Sequence, residues 1–303
     1  MTTTTADRGV SAVPTFRQLL NKVPEVTVYF WVIKVLCTTV GETAADLLNE
    51  NLGLGLTNTT YLMGALLVAA LVAQFRLRRY VPSVYWLAVV SISIVGTLIT
   101  DNLSDNLGVS LVITTIGFSI VLAGVFAVWW ASERTLSIHT IFTTRRETFY
   151  WLAVLFTFAL GTAAGDLTAE RLSIGYLPSA LMFGGLIAVV AIAHFRFKLD
   201  AVLAFWLAYI LTRPLGASIG DWMSQPRTDG GLGLGTVVTS ILFLSLIVAV
   251  VVFLTVTRRD ESPSQAVSPE ELKPHLHVPH PHVPHPHLPE VRVLPPKPAG
   301  DEA

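Results

Sequence analysis

Residues 30–46 read FWVIKVLCTTVGETAAD, and residues 85–101, 150–166 and 205–221 read YWLAVVSISIVGTLITD, YWLAVLFTFALGTAAGD and FWLAYILTRPLGASIGD. Each stretch opens on an aromatic pair, places a glycine ten residues after its tryptophan, and places an aspartate five residues beyond that. The matching sets are Trp31, Gly41 and Asp46; Trp86, Gly96 and Asp101; Trp151, Gly161 and Asp166; Trp206, Gly216 and Asp221. Four copies of one spacing mean an internal repeat, in which each unit buries its apolar face against its neighbours. The tryptophans stand 55, 65 and 55 residues apart, so copies one and three, like copies two and four, are 120 residues apart. A doubled pair of helical hairpins accounts for this rhythm.

Around these stretches the composition is that of a membrane protein. Of 303 residues, 52% are hydrophobic and 14% charged, where soluble domains carry about 25% charged. Apolar runs bounded by charge or turn residues fall near 27–48, 58–75, 83–103, 109–130, 148–168, 177–195, 201–222 and 235–256, each close to the ~20 residues that cross a bilayer as a helix. The expected fold is all-α: eight transmembrane helices as four two-helix repeats, about 23–79, 80–135, 145–199 and 200–258, in two four-helix halves. An even number of spans per unit makes the repeats parallel, related by an axis along the membrane normal. The first run is too long and too charged for a signal peptide, and no cleavage is expected.

Sixteen of the twenty Lys and Arg fall before the first span, after the last, or in alternate loops; the opposite loops hold Arg171 and Arg227, and Lys34 and Arg213 lie within spans. By the positive-inside rule both termini are cytoplasmic. That makes 1–22 a cytoplasmic N-terminal segment and 259–303 a disordered, Pro- and His-rich cytoplasmic tail. In the tail His275, His277, His280, His282, His285 and His287 alternate at spacings of two and three. That pattern suits loose Zn²⁺, Ni²⁺ or Co²⁺ binding or a plain Pro-rich spacer.

A formal net charge of −1 gives no reason to expect nucleic acid, and the lone Cys37 excludes an intramolecular disulfide. No nucleophile-and-base set, phosphate loop or zinc-protease motif is present, so an enzyme is not expected. The chemistry is instead in the repeat. Trp to Asp spans roughly 22 Å of helix, which sets Trp31, Trp86, Trp151 and Trp206 as anchors at the cytoplasmic interface. Gly41, Gly96, Gly161 and Gly216 then fall near mid-bilayer as helix-packing positions, and the aspartates toward the outer side. A second polar residue follows each aspartate by four: Glu50, Asp105, Glu170 and Gln225; with Glu42, copy one carries three acids on one stripe. Either each Asp ends its helix at the interface, or Asp46, Asp101, Asp166, Asp221, Glu42, Glu50, Asp105 and Glu170 gather around ions. Oxygen-rich clusters suit Mg²⁺, Ca²⁺ or Mn²⁺, so a divalent metal ion is the candidate ligand. Lys34, inside the first span, is either an ion- or substrate-binding residue or, being close enough to the cytoplasmic face, a side chain that snorkels; Arg213, deeper and next to Pro214, is expected to pair with an acid of another repeat or read an anion.

The Trp-Gly-Asp spacing resembles a family of bacterial membrane proteins with four tandem copies of a two-helix repeat of unknown function, each with a marked tryptophan. The resemblance covers about residues 22–257 and implies the architecture and a multi-pass protein of the bacterial plasma membrane, with the lipid bilayer as partner, but no activity. The expected function is a multi-pass transporter for a cation, divalent metal or proton-coupled, that uses the acids repeated on helices one, three, five and seven, with a small ion or solute as its partner. A cation-selective pore, or a non-transporting scaffold or metal sensor with a His-rich tail, is the alternative.

Overall fold

The computed structural model describes residues 21–260; most of the N-terminal segment and the tail, including all six of its histidines named above, lie outside them. Eight helices long and apolar enough to cross a membrane run through the described residues, and no strand occurs among them. The motif helices are α1 (Val28–Asp46), α3 (Pro82–Asp101), α5 (Thr144–Asp166) and α7 (Ala201–Ser224). Between them stand α2 (Gly55–Arg76), α4 (Leu111–Glu133), α6 (Tyr176–Phe197) and α8 (Gly235–Thr257).

Local chemistry sets the starts. Thr27 and Thr143 side chains accept from Phe30 N and Arg146 N, and the Asp200 carboxylate accepts from Val202 N and Leu203 N. These caps satisfy donors that a helix N-terminus leaves open; α3 starts instead on Pro82, which has no N–H to leave unpaired. The ends of α4, α6 and α8 share another device, since Arg134, Lys198 and Arg258 each close the helix in the left-handed region.

The motif helices form a closed inner ring, α1 on α3, α3 on α5, α5 on α7 and α7 on α1. Each remaining helix leans on the motif helix of the next repeat: α2 on α3, α4 on α5, α6 on α7 and α8 on α1. The repeats therefore interlock. The inner helices are mostly buried and the outer ones mostly exposed to the surroundings, which fits their residues: α4 and α8 are apolar on every side, the property of helices solvated by lipid.

The ring closes on glycine. A Cβ built on Gly41 would lie 1.8 Å from Ser93 Oγ; on Gly96, 2.8 Å from Phe158 Cβ; on Gly161, 2.4 Å from Arg213 Cγ; on Gly216, 1.9 Å from Thr38 Oγ1. Thr38, Ser93, Phe158 and Arg213 all stand seven residues after their tryptophan. One contact, glycine of a repeat against the seventh position of the next, is made four times around the ring. In lipid, where apolar burial gives no drive for helix association, such backbone proximity is what holds helices together.

The tryptophans were expected as interface anchors, and here the structure corrects the sequence. Trp86, Trp151 and Trp206 are 1%, 4% and 4% exposed, and Trp31 is half-buried. Each tryptophan meets the aromatic residue that precedes the tryptophan of the repeat before it. Ring centroids are 5.7 Å apart for Phe30–Trp86, 5.5 Å for Tyr85–Trp151, 6.3 Å for Tyr150–Trp206 and 5.7 Å for Phe205–Trp31. The aromatic pair closes one end of the ring, its two members serving neighbouring seams.

Gly96→Ala forces its methyl on Phe158 Cβ and on the Ala159 backbone, which cannot move aside as a flexible side chain would. It should cost about 1–3 kcal/mol and lower the thermal midpoint of the detergent-solubilised protein. Gly117→Ala on α4, where nothing lies within 4 Å of the added methyl, should leave the midpoint unchanged or raise it.

Candidate functional site

Within the inner ring, residues four apart form a stripe on each motif helix. Taken from the residue before the tryptophan, successive layers hold Phe30, Tyr85, Tyr150 and Phe205; Lys34, Val89, Val154 and Tyr209; Thr38, Ser93, Phe158 and Arg213; Glu42, Thr97, Thr162 and Ala217; then the four aspartates. All but Phe205 in the first four layers are buried. The stripes converge because residues on diagonally opposed helices touch, α1 facing α5 across the ring.

Arg213 lies at this centre, fully buried. From α7 its guanidinium reaches all three other motif helices. Nη1 donates to the Thr38 carbonyl at 3.1 Å, and Nη2 to Glu42 Oε2 at 2.8 Å, to Thr162 Oγ1 at 2.7 Å and to Thr97 Oγ1. Thr97 and Thr162 hydroxyls are free to accept because they donate to the carbonyls of Ser93 and Phe158 in their own helices. Arg213 thus meets an acid of another repeat, Glu42.

Glu42, Asp166 and Asp221 come from α1, α5 and α7, and each offers a carboxylate oxygen within 4.8 Å of the other two. Asp101 of α3 stands within electrostatic range of Glu42, Asp166 and Asp46. The four motif aspartates and Glu42 therefore gather at one end of the ring rather than dispersing to its periphery. Asp221 is buried, and Asp46, Asp101 and Asp166 are half-buried. At such separations two ionised carboxylates repel by roughly 3–4 kcal/mol at an effective dielectric of about 20. The cluster needs positive charge: Arg213, protons or a cation. Its donors are all oxygen, the set hard divalent ions take.

The second acids are placed differently. Directly after Asp46, Asp101 and Asp166 the helix widens into a π-turn, Leu47–Asn51, Asn102–Asn106 and Leu167–Arg171. A spacing of four no longer returns to the same line there. Glu50 and Asp105 are exposed at the mouth instead of continuing the buried stripe, which corrects the expectation of one continuous acidic face; Glu170 belongs to the third π-turn. The aspartates themselves do not cap these turns, since Asp46 and Asp101 make no side-chain cap bond there. In copy four α7 runs on to Ser224, and Gln225 and Pro226 follow without a π-turn.

Of the two expectations for Lys34, snorkelling is not met. Lys34 is fully buried, with Nζ 4.0 Å from the Phe158 ring centroid and 4.1 Å from that of Tyr209. Among the described residues it has no hydrogen-bond partner, so two aromatic faces supply its stabilisation. The aromatic layer lies between it and the helix start, which closes the route a snorkelling side chain would take.

Three features escaped the sequence reading. The common register of Thr38, Ser93, Phe158 and Arg213 was legible by setting the four copies one above another. Lys22 pairs with Glu147 at 2.7 Å, and Gln74 donates to the same carboxylate at 3.4 Å; these residues are 125 and 73 positions from Glu147, with no motif to link them. Beyond α8, the Tyr80 hydroxyl donates to Asp260 at 2.6 Å. Burial pushes the Asp260 carboxyl above its ordinary range, and the Tyr80 bond opposes the shift. An apolar groove of about 720 Å³ between α1, α6 and α7, walled by Trp31, Val35, Ile187 and Leu215, contains none of the clustered acids.

Removing one member of the Arg213–Glu42 pair leaves the other buried and uncompensated, which costs about 3–5 kcal/mol, whereas replacing both with apolar groups is nearly neutral. Arg213→Met should therefore lower the thermal midpoint sharply. Adding Glu42→Leu should restore much of the loss in a double-mutant cycle, and strict additivity of the two losses would show that the pair is not coupled.

The repeat model described as Repeat of Unknown Function (DUF347) matches residues 29–80, 84–135, 149–200 and 204–260. These four matches coincide with the four helix pairs. No curated protein and no solved structure matches the chain. The chain, a multi-pass membrane protein of four tandem repeats, belongs to the DUF347 repeat family.

Proposed function

We propose that the protein is a transporter that carries a cation, a divalent metal ion being the best fit, through the centre of its inner ring. The observation that carries this reading is the convergence of Glu42, Asp166 and Asp221 to within 4.8 Å, with Asp46 and Asp101 beside them. Acids placed inside a membrane domain are costly and mark ion or proton pathways. The all-oxygen donor set favours Mg²⁺, Ca²⁺ or Mn²⁺ over Zn²⁺, and the described histidines, His139 and His194, lie toward the tryptophan end. The positive-inside pattern supports an acidic chamber that opens away from the cytoplasm, in the plasma membrane of a bacterium.

A carrier fits better than an open pore. Below the acids the axis is filled by Arg213, Lys34 and the aromatic layer, a buried guanidinium and a plug in the path of any cation. A conducting pore needs a continuous wet route, whereas a carrier closes one end while the other is open. Parallel repeats related by an axis along the membrane normal allow the two four-helix halves to rock about it.

In proteoliposomes, the full chain should move at least one of Mn²⁺, Ca²⁺ or Mg²⁺ down its gradient. Asp166→Asn and Asp221→Asn should each lower the initial rate by roughly tenfold or more, equivalent to about 1.4 kcal/mol, while size-exclusion profiles stay those of the wild type. Undiminished flux in both variants would remove the acids from the path, and single-channel conductance steps would replace the carrier with a pore.

A further inference from the structure

We propose that the Arg213 guanidinium is a tethered cation that holds the innermost oxygen site of the acidic chamber, and that a divalent cation entering the chamber displaces it and unlocks the seam between α1 and α7. The proposal rests on the cation reading above and deepens it by assigning the residue that gates the site.

The donor set around Arg213 is the first argument. One carboxylate, two hydroxyls and one carbonyl surround it, contributed by α1, α3 and α5. These are the oxygens a hard cation takes. Glu42 is shared between two assemblies: its Oε2 accepts from Arg213, and its carboxylate is a member of the triad with Asp166 and Asp221. An ion bound by the triad draws on the same negative charge that holds Arg213, so the two cations compete.

The second argument is mechanical. Thr38, Ser93 and Phe158 occupy the register position of Arg213 in the other repeats, so this tie is made by α7 alone. Pro214 follows it, and a proline inside a helix removes one backbone hydrogen bond and permits a bend. Beyond the proline, α7 meets α1 across Gly216 and Gly220, where an added Cβ would lie 1.9 Å from Thr38 Oγ1 and 3.2 Å from the Thr39 carbonyl. At those points α7 offers no side chain of its own, and Thr38, Glu42 and Thr43 of α1 rest on its glycines. Arg213 is the polar bolt across a joint lined by glycine on the α7 side, beside a helix weak point.

The chain supplies its own reporter. Cys37 is its sole cysteine, fully buried, and it precedes Thr38, whose carbonyl accepts from Arg213 Nη1. The Thr38 side chain next to it lies against Gly216 of α7, which sets Cys37 beside the seam. With the full-length protein in lipid nanodiscs, the rate of Cys37 modification by N-ethylmaleimide would be measured while titrating MnCl₂, CaCl₂ or MgCl₂ against choline chloride at matched ionic strength. At least one divalent ion should raise the rate by roughly tenfold, with saturation. Arg213→Lys, which keeps the charge but loses the fork of donors, should label faster without any ion. Thr162→Val, which removes one hydroxyl, should show a smaller increase, and Glu42→Gln should lose the ion response. A wild-type rate indifferent to all three ions, or an ion response that survives Glu42→Gln, would overturn the proposal and make Arg213 a static tie; the wild-type titration decides even where a variant does not fold. Flux in vesicles separates the two ideas: transport with an unresponsive Cys37 sinks the gate and keeps the carrier, and a responsive Cys37 without flux does the reverse.

Discussion

The close approach of four helices at four glycines is the constraint from which the remainder follows. Where Gly41, Gly96, Gly161 and Gly216 meet the seventh position of the next repeat, the glycine adds no side chain and the seventh residue packs directly on its backbone. Once the helices are this near, the residues one turn to either side have nowhere to point but the axis. Lipid gives no reason for apolar helices to associate, so dispersion at small residues and interhelical hydrogen bonds must suffice. Thr100 supplies one such bond, donating to the Ala159 carbonyl of α5 at 3.0 Å. The outer helices add cohesion by packing on the following repeat rather than on their own, so no hairpin is complete without its neighbour.

The scaffold is nearly fourfold, and its chemistry is not. An axial position shared by four helices has room for one ionisable chain, and each central layer uses it once: Lys34 in one, Arg213 in the next, Glu42 in the third. Their counterparts are short, apolar or hydroxylic. A repeat protein that placed arginine at all four equivalent positions would force four guanidinium groups into one point. Divergence after duplication is therefore a physical requirement for charge on the axis. The aspartate layer is the exception, repeated four times where the ring meets a π-turn or helix end and space increases. The one guanidinium of Arg213 stands against five clustered carboxylates, which leaves the chamber with an excess of acid that suits a positively charged visitor.

Much of this was legible in the sequence. The eight spans and the parallel repeats follow from spacing, while the cost of charge in lipid favoured gathered aspartates without excluding ones that end their helices at the interface. The fates of the tryptophans and Lys34 were not, for one reason: an amphipathic side chain near a helix end reads identically whether its neighbour is lipid headgroup or another helix. Only the ring's closure, by which Phe30 meets Trp86 and Tyr85 meets Trp151, decides for the protein interior. The π-turns were also hidden, because an inserted residue in a helical turn leaves no mark in a periodicity already ending. That is why Glu50 and Asp105 read as continuing the acidic stripe and do not. The Lys22–Glu147–Gln74 network belongs to contacts between distant segments, which pattern does not encode.

The departures from the repeat gather on one helix. α7 carries Arg213, the internal Pro214, the replacement of the second acid by Gln225, the missing π-turn and the Gly-rich segment before α8. α1, α3 and α5 share the regular pattern and end alike, in π-turns just beyond their aspartates. Three similar helices make a wall, and a fourth that is interrupted by proline, packed on α1 through glycines and bolted by a single guanidinium has the attributes of a moving part. Bistable elements need a tie that is specific yet replaceable. A guanidinium held by oxygen ligands meets that need in a way that interlocked apolar side chains do not, because an ion can substitute for one charge but cannot substitute for a packed surface.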